Sequence, residues 1–339
     1  MKVFLCFIFL LLSPTLFCER LVIFNWTEYL PSEVIRDFEK ETGIEVKLSS
    51  YESNEAMYTK LKILRSKGYD LVIPSTYFVE KMIKEGMLQK LDHEKLPNIR
   101  HLLPRLTGLP FDVKNDFSMP YLWGTTVLSY NSEKIKETPD SWKVLWKSDY
   151  KNQVLVLEDM RETFSIALKS LGYSSNSSSP TEIREAYDKL LKLKENVRLF
   201  SSEAPKQAFI NQEVTLGMTM SGDLKVIQEE NPGIAAIYPK EGFTIWLDSM
   251  VIPKGASNPQ AAHRFINYVL RPEVSLKIAL ELGYSTVNKE SLNLKAAAQM
   301  KENPLMNPSE EVLQRGEFLT DVGRSLLVYE DLWQRLKVE

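Results

Sequence analysis

The sequence predicts an α/β fold of two lobes with a ligand cleft between them. Three observations predict it: strand, turn and helix units repeat from Leu21 through the first hundred residues, a second α/β run follows from Thr125, and no flexible linker separates the two. At 339 residues and 44% hydrophobic content the chain can bury two ordinary cores.

Before the first strand, MKVFLCFIFLLLSPTLFC places one lysine ahead of an apolar run from Val3 to Leu12, the layout of a secretory signal over residues 1–18. It is too short for a comfortable membrane span. Cys18 closes the run as a lipid-bearing cysteine would, whereas the bulky Phe17 suits neither a lipoprotein signal nor a plain cleavage site. Lipidation at Cys18 and simple secretion both stay open, and either places the protein outside the cytoplasmic membrane.

Leu21 to Phe24 is a continuous apolar strand, and Pro31 starts a helix with Val34, Ile35 and Phe38 on one face and Gly43 past its end. Ile44 to Leu48 is the next strand. A helix through Met57, Leu61 and Leu64 stops at Gly68, and Asp70 to Ile73 is a third strand. A helix near Val79 to Glu85 stops at Gly86. Apolar strands in repeated βα units indicate a parallel sheet covered on both faces. Further on, Thr125 to Tyr130, Val154 to Leu157, Thr215 to Met220 and Ile234 to Tyr238 read as strands. Phe164 to Leu171, Ile183 to Leu193 and Pro259 to Leu270 read as helices, and Ser174 to Ser179 is a polar loop before Pro180.

Composition excludes several classes of function. The 42 Lys+Arg and 45 Asp+Glu give a net charge of -3, so no basic field gathers nucleic acid. Both cysteines, Cys6 and Cys18, lie in the leader, which removes a disulfide framework, a thiol nucleophile and a thiolate metal site from the body of the chain. The three histidines lack metal-ligand spacing, His263 reads as a packing or surface residue, and the glycines form no phosphate-cradling motif. Nothing nominates a catalytic group, a metal or a cofactor.

Ligands of open α/β sheets sit beyond the carboxyl ends of the strands. The loops there carry Asn25, Trp26, Thr27, Glu28 and Tyr29, then Ser49 to Asn54, then Pro74 to Tyr77. Aromatics, hydroxyls and carboxylates recur in them without a basic residue. Ser53 or Asn54 fits an N-cap, but turn chemistry rarely needs a tryptophan. In the second half Asp159 and Glu162 have the spacing of a helix-capping pair, which explains them about as well as a ligand does. Trp246 and Asp248 share one face of a strand, where the acid must lie at an edge or find a cation. Tyr284 adds a ring, and Arg161 is the lone cation. Such a cleft suits a cationic ligand with an apolar stem, since carboxylates accept ammonium donors and ring faces attract the charge.

These segments, NWTEY, ETGI, YESNEAMY, YDLVIPSTY, KEGMLQKLD, WLDS, LGYSTVN, GEF, DVG and YEDLWQRLK, come in one order over essentially the whole mature chain. In them the sequence resembles the periplasmic spermidine/putrescine-binding proteins of ABC-type polyamine importers. The resemblance implies a periplasmic-binding-protein fold whose two α/β lobes close on a polyamine. One lobe would span 19–123 plus 248–295 and the other 124–247 plus 296–339. It implies ligand contacts from Trp26, Thr27, Glu28, Tyr29, Ser75, Tyr77, Asp159, Glu162, Trp246, Asp248 and Tyr284. Asp248 and Glu162 would pair with ammonium nitrogens, and Glu28 with Thr27 would meet the far end. Two positions depart: Met220 stands where spermidine-binding relatives carry a tryptophan, and Leu319 where they carry a glutamine. That points toward putrescine.

The expectation is a monomeric, non-enzymatic binding protein without cofactor, periplasmic or lipid-anchored, that hands polyamine to the permease and ATPase subunits of an importer. A binder of another solute, such as thiamine or a metal complex, and a surface interaction protein with a vestigial cleft remain as alternatives.

Overall fold

The computed structural model describes residues 19–201 and 205–338. The signal segment, with the lipidation reading at Cys18, lies outside the described residues.

The first lobe is seeded by β1 (Arg20–Trp26), β2 (Glu45–Tyr51) and β3 (Leu71–Val72), joined through α1 (Ser32–Thr42) and α2 (Asn54–Ile63) and followed by α3 (Thr76–Lys84). β1 runs parallel to β2 from Arg20↔Glu45 to Trp26↔Tyr51 and parallel to β3 at Ile23↔Leu71. Leu21, Ile23 and Phe24 are buried, as a strand covered on both faces requires. α1 turns Val34 and Phe38 inward and ends at Gly43, whose φ of 71° is the left-handed stop that glycine adopts without a Cβ penalty. Ser53 caps α2 by accepting from the Ala56 N–H.

β4 (Ser118–Asn131) leaves this lobe and enters the second. There follow β5 (Val154–Val156), α4 (Met160–Leu171), α5 (Pro180–Leu193), β6 (Val197–Phe200), α6 (Pro205–Ile210), β7 (Leu216–Met220), α7 (Asp223–Glu230) and β8 (Ile234–Ile237). β9 (Phe243–Val251) carries the chain back, and α8 (Pro259–Val269) and α9 (Pro272–Leu282) complete the first lobe. The chain closes with α10 (Ala298–Glu302), α11 (Glu310–Leu313), β10 (Gly316–Phe318) and α12 (Leu326–Val338), which packs on α4 and α5.

The strand order is β2-β1-β3-β9-β4-β7-β5-β6, with β10 on β9 and β8 on β4. β9 lies antiparallel to β3 and to the first half of β4, from Ser118↔Val251 to Thr125↔Ile245. The register slips between Pro120 and Leu122, where proline offers no N–H to the ladder. From Thr126 onward β4 pairs instead with β7 and β8. Thus β4 and β9 both run through the junction of the lobes. The sheet is parallel within β1 to β3, as the sequence predicts, and mixed overall.

Several elements exceed their expected bounds. β1 extends through Trp26, so Asn25 and Trp26 are strand residues and not a loop, and Asn25 pairs opposite Ser50 with no exposed surface. α3 begins at Thr76, which places Tyr77 in a helical first turn. β4 is 14 residues long and buried throughout, because it serves two lobes in succession.

Candidate functional site

The lobes meet in contact. Tyr284, after α9, lies flat on Gly222 at the start of α7, where a Cβ would stand 2.2 Å from its ring. The Tyr284 hydroxyl donates to Asp223 at 3.4 Å, and Lys225 Nζ donates to the Leu280 carbonyl at 2.9 Å.

Asp248 sits in β9 between β3 and β4, with 6% of its surface exposed. Of the two alternatives the sequence left for this acid, an exposed edge is therefore corrected. Ser75 Oγ donates to its carboxylate at 2.6 Å, and no protein cation pairs with it among the described residues. Burial pushes its carboxyl up to about 6, and Asp159 adds to the rise, while Ser75 and the facing Tyr29 hydroxyl pull it down.

Around Asp248 the rings form a wall. Tyr29 and Tyr284 stand 6.0 Å apart, and Tyr284 meets Trp246 edge-on at 4.9 Å. Trp246 rests on Gly124, where a Cβ would come within 2.4 Å of the indole. Its buried Nε1 and the Tyr29 hydroxyl oxygen make no hydrogen bond of good geometry among the described residues. Trp26 donates its indole N–H to the Ile73 carbonyl at 3.0 Å and packs on Tyr51 at 4.8 Å.

The second lobe supplies α4. Asp159 accepts from the Glu162 N–H at 2.9 Å, so the capping reading holds for Asp159. The Glu162 side chain does not return the bond: it is buried and accepts from Thr126 Oγ1 at 2.8 Å. Burial first, then Asp159, drive its carboxyl up to about 8. Asp159 is itself raised by burial. Its charge acts on Asp248 and Glu162, and also on Glu55 in the first turn of α2. Glu55, pushed up to about 7 chiefly by burial and then by Asp159, faces the opposite lobe.

Sequence reasoning missed Glu55, and it missed Asn54. Asn54 does not cap α2. It is buried, donates to Ser75 Oγ and to the Tyr77 hydroxyl at 3.2 Å each, and accepts from the Ser75 N–H at 3.2 Å. It thereby orients two nominated residues at once. The available signal was a polar side chain on the stripe of α2 that buries Met57 and Leu61.

Trp246, Asp248, Tyr29, Tyr284, Ser75, Tyr77, Asp159 and Glu162 come together at the junction. Trp26 borders them through Tyr51 and Ile73. Thr27 and Glu28 lie exposed at the end of β1, Glu28 at a φ of 52°. Met220 ends β7 with its sulfur 3.6 Å from the Thr126 hydroxyl that serves Glu162. Leu319 is buried in an apolar cluster with Tyr51, Tyr77 and Val251. A cavity of about 400 Å³ bounded by Lys62, Arg65, Met87 and Lys254 shares no residue with the acid cluster, and its rim is basic. Among the described residues no group of three or more His, Cys, Asp or Glu is placed to hold a metal ion, and no helix is long and apolar enough to cross a membrane.

Residues 33–308 match the family of bacterial extracellular solute-binding proteins. The chain is 43% identical to the spermidine/putrescine-binding periplasmic protein of Salmonella typhimurium, over 94% of this chain and 92% of that one. Its fold superposes on the spermidine/putrescine ABC transporter substrate-binding protein PotD of Streptococcus pneumoniae with a TM-score of 0.80, at 37% identity and covering 94% of this chain and 99% of that one. The TpPotD lipoprotein of Treponema pallidum gives 0.86 at 29% identity, covering 95% and 100%.

Proposed function

The chain belongs to the bacterial extracellular solute-binding proteins, and from that premise we propose that it captures a polyamine in the periplasm and delivers it to an ABC importer. The observation that carries this reading is the convergence of Asp248, Asp159, Glu162 and Glu55 from both lobes among Trp246, Tyr284, Tyr29 and Tyr77, with no protein cation paired to them among the described residues. An ammonium group carries three donors and is costly to bury unless carboxylates accept them. Ring faces attract that charge and pack the methylenes between two amines.

In this reading Asp248 and Glu162 accept the ammonium groups, Asp159 and Glu55 add charge between the lobes, and Ser75 and Tyr77 are held in place by Asn54. Trp246, Trp26 and Tyr77 wall the stem, Tyr284 closes the box, and Thr27 with Glu28 meets the end of a longer amine at the rim. The lobes correspond to 19–123 plus 248–295 and to 124–247 plus 296–339. The protein acts as a monomeric carrier without chemistry on its ligand, and it docks on permease and ATPase subunits. Met220 and Leu319 place apolar surface where a triamine needs a wall and a polar contact, which favours putrescine over spermidine.

Calorimetric titration with putrescine, spermidine, cadaverine and arginine tests the assignment. Putrescine is expected to bind most tightly, and Asp248→Asn to weaken it by about 2 kcal/mol or more, since one partner of a buried charge pair is lost. If no amine binds, the polyamine reading is wrong; if the Asp248→Asn protein binds as before, Asp248 has been given the wrong role.

A further inference from the structure

Arg161 is a puzzle in a cleft built for cations. It is 1% exposed, it lies between Asp159 and Glu162 in sequence, and yet it forms no ion pair with a carboxylate among the described residues. Its donors go to neutral oxygens: Nη1 to the Thr320 carbonyl at 3.1 Å, Nη2 to Asn176 Oδ1 at 3.1 Å and to the Ser175 carbonyl at 3.4 Å. The guanidinium stands 5.5 Å from the ring of Tyr77, which belongs to the first lobe, and 5.3 Å from that of Tyr329 on α12, in the second.

The segment 319–321 around Thr320 is stitched to both lobes. The Thr320 N–H donates to Asn176 Oδ1 at 2.8 Å, and Asn176 Nδ2 donates to the Phe318 carbonyl at 2.8 Å. On the other side Thr76 Oγ1 donates to the Leu319 carbonyl at 2.9 Å, Lys84 pairs with Asp321 at 2.9 Å, and the Asp321 N–H donates to Glu80 at 2.9 Å. Thr76, Glu80 and Lys84 are four residues apart and form one stripe of α3, so residues 319–321 dock along that helix. The N-terminus of the same helix presents Ser75 to Asp248 and Tyr77 to the cleft. Arg161 therefore ties the start of α4, which bears Asp159 and Glu162, to the start of α3.

We propose that Arg161 is a closure clasp, a positioning residue that holds the two lobes shut on the ligand through Tyr77 and the 319–321 strap without touching the ligand itself. This rests on the reading of the cleft as a site that closes on an amine. A planar fork with several diverging donors and two ring-stacking faces performs the task, and a lysine cannot reproduce it. Because the Nη donors are spent on carbonyl and amide oxygens and the buried Nε makes no hydrogen bond among the described residues, the positive charge remains beside Asp159 and Glu162 without neutralising them by contact. A clasp that forms only in the closed arrangement governs departure of the ligand, not its arrival.

Stopped-flow measurement of putrescine binding by tryptophan fluorescence separates the two rates. Arg161→Lys, which keeps the charge, is expected to leave association within about two-fold and to speed dissociation at least ten-fold, with less compaction of the saturated protein by X-ray scattering. An unchanged dissociation rate overturns the clasp, and so does a loss confined to association, which would mark Arg161 as a group the ligand meets on arrival. Should Arg161→Lys fail to fold, Asn176→Ala loosens the clasp from outside the cleft. A several-fold faster dissociation is expected there, and no change counts against the proposal. If the unaltered protein binds no amine, the ligand assignment fails first, and the clasp falls with it.

Discussion

Glu162 and Asp248 each accept one short hydroxyl hydrogen bond, yet burial raises Glu162 to about 8 and Asp248 only to about 6. Burial is the largest cause in both, and two hydroxyls support each ionised form, Thr126 and Thr244 at Glu162, Ser75 and Tyr29 at Asp248; Asp159 ranks directly after burial for Glu162 and last for Asp248. A carboxyl raised in the folded state holds a proton that the unfolded chain has already lost. Glu162 thus favours the fold below its ordinary value of 4.5, and that contribution is lost as pH rises from there to about 8, by at most about 1.4 kcal/mol per pH unit. Thermal melts between pH 5 and 8.5 should show this decline, flattened in Glu162→Gln; parallel curves for the two proteins would count against the assignment. Putrescine affinity should move the opposite way and rise through the same range, because an ammonium group needs the ionised carboxylates. Much of this site was legible locally, as the two-residue period puts Trp246 and Asp248 on one face. That Asp248 lies between two strands was not, because strand order is set by partners 120 to 179 residues away, from Thr125↔Ile245 to Val72↔Val251. Asn54 and Glu55 look like ordinary first-turn residues until the opposite lobe and Ser75 are in place.

At the scale of elements, the bounds that moved are those where a strand or helix continues into the site. β1 runs on to Trp26 because Asn25, polar in composition, keeps its ladder opposite Ser50, and a reading by apolar runs stops one residue before it. α3 starts at Thr76 because Ser75 has the extended backbone of an N-cap while its hydroxyl is spent on Asp248. α7 gives the sharpest test of how elements set closure. Gly222 has a φ of -72°, which any residue adopts, so alanine there costs the backbone nothing. Its methyl group would still fall inside the Tyr284 ring, 2.2 Å from the nearest carbon. Gly222→Ala is therefore expected to keep its melting temperature within a few degrees and to bind putrescine at least ten-fold more weakly. Unchanged affinity would mean that Tyr284 need not lie on Gly222 for the cleft to hold its ligand.

Over the whole molecule, a net charge of -3 conceals a strong local imbalance. Two antiparallel strands, β4 and β9, cross the junction, and residues 319–321 add a third connection that grips α3. Rotation about these strands would part Tyr284 from Gly222 and Tyr77 from Arg161 while leaving intact the pairings among β1, β2 and β3 of one lobe and among β5, β6 and β7 of the other. In the closed arrangement Asp159 and Glu162 face Asp248 and Glu55 across the junction, and like charges in a drying cleft repel more strongly than in water. Two kinds of positive charge relieve that repulsion, an amine and a proton. Scattering should then show the protein at pH 8 becoming more compact as putrescine is added, and it should show a smaller change at pH 5.5, where protons on Glu162 and Glu55 already permit closure. Equal compaction at both pH values would mean that contacts such as the Arg161 clasp, not the balance of charge in the cleft, decide when the lobes shut.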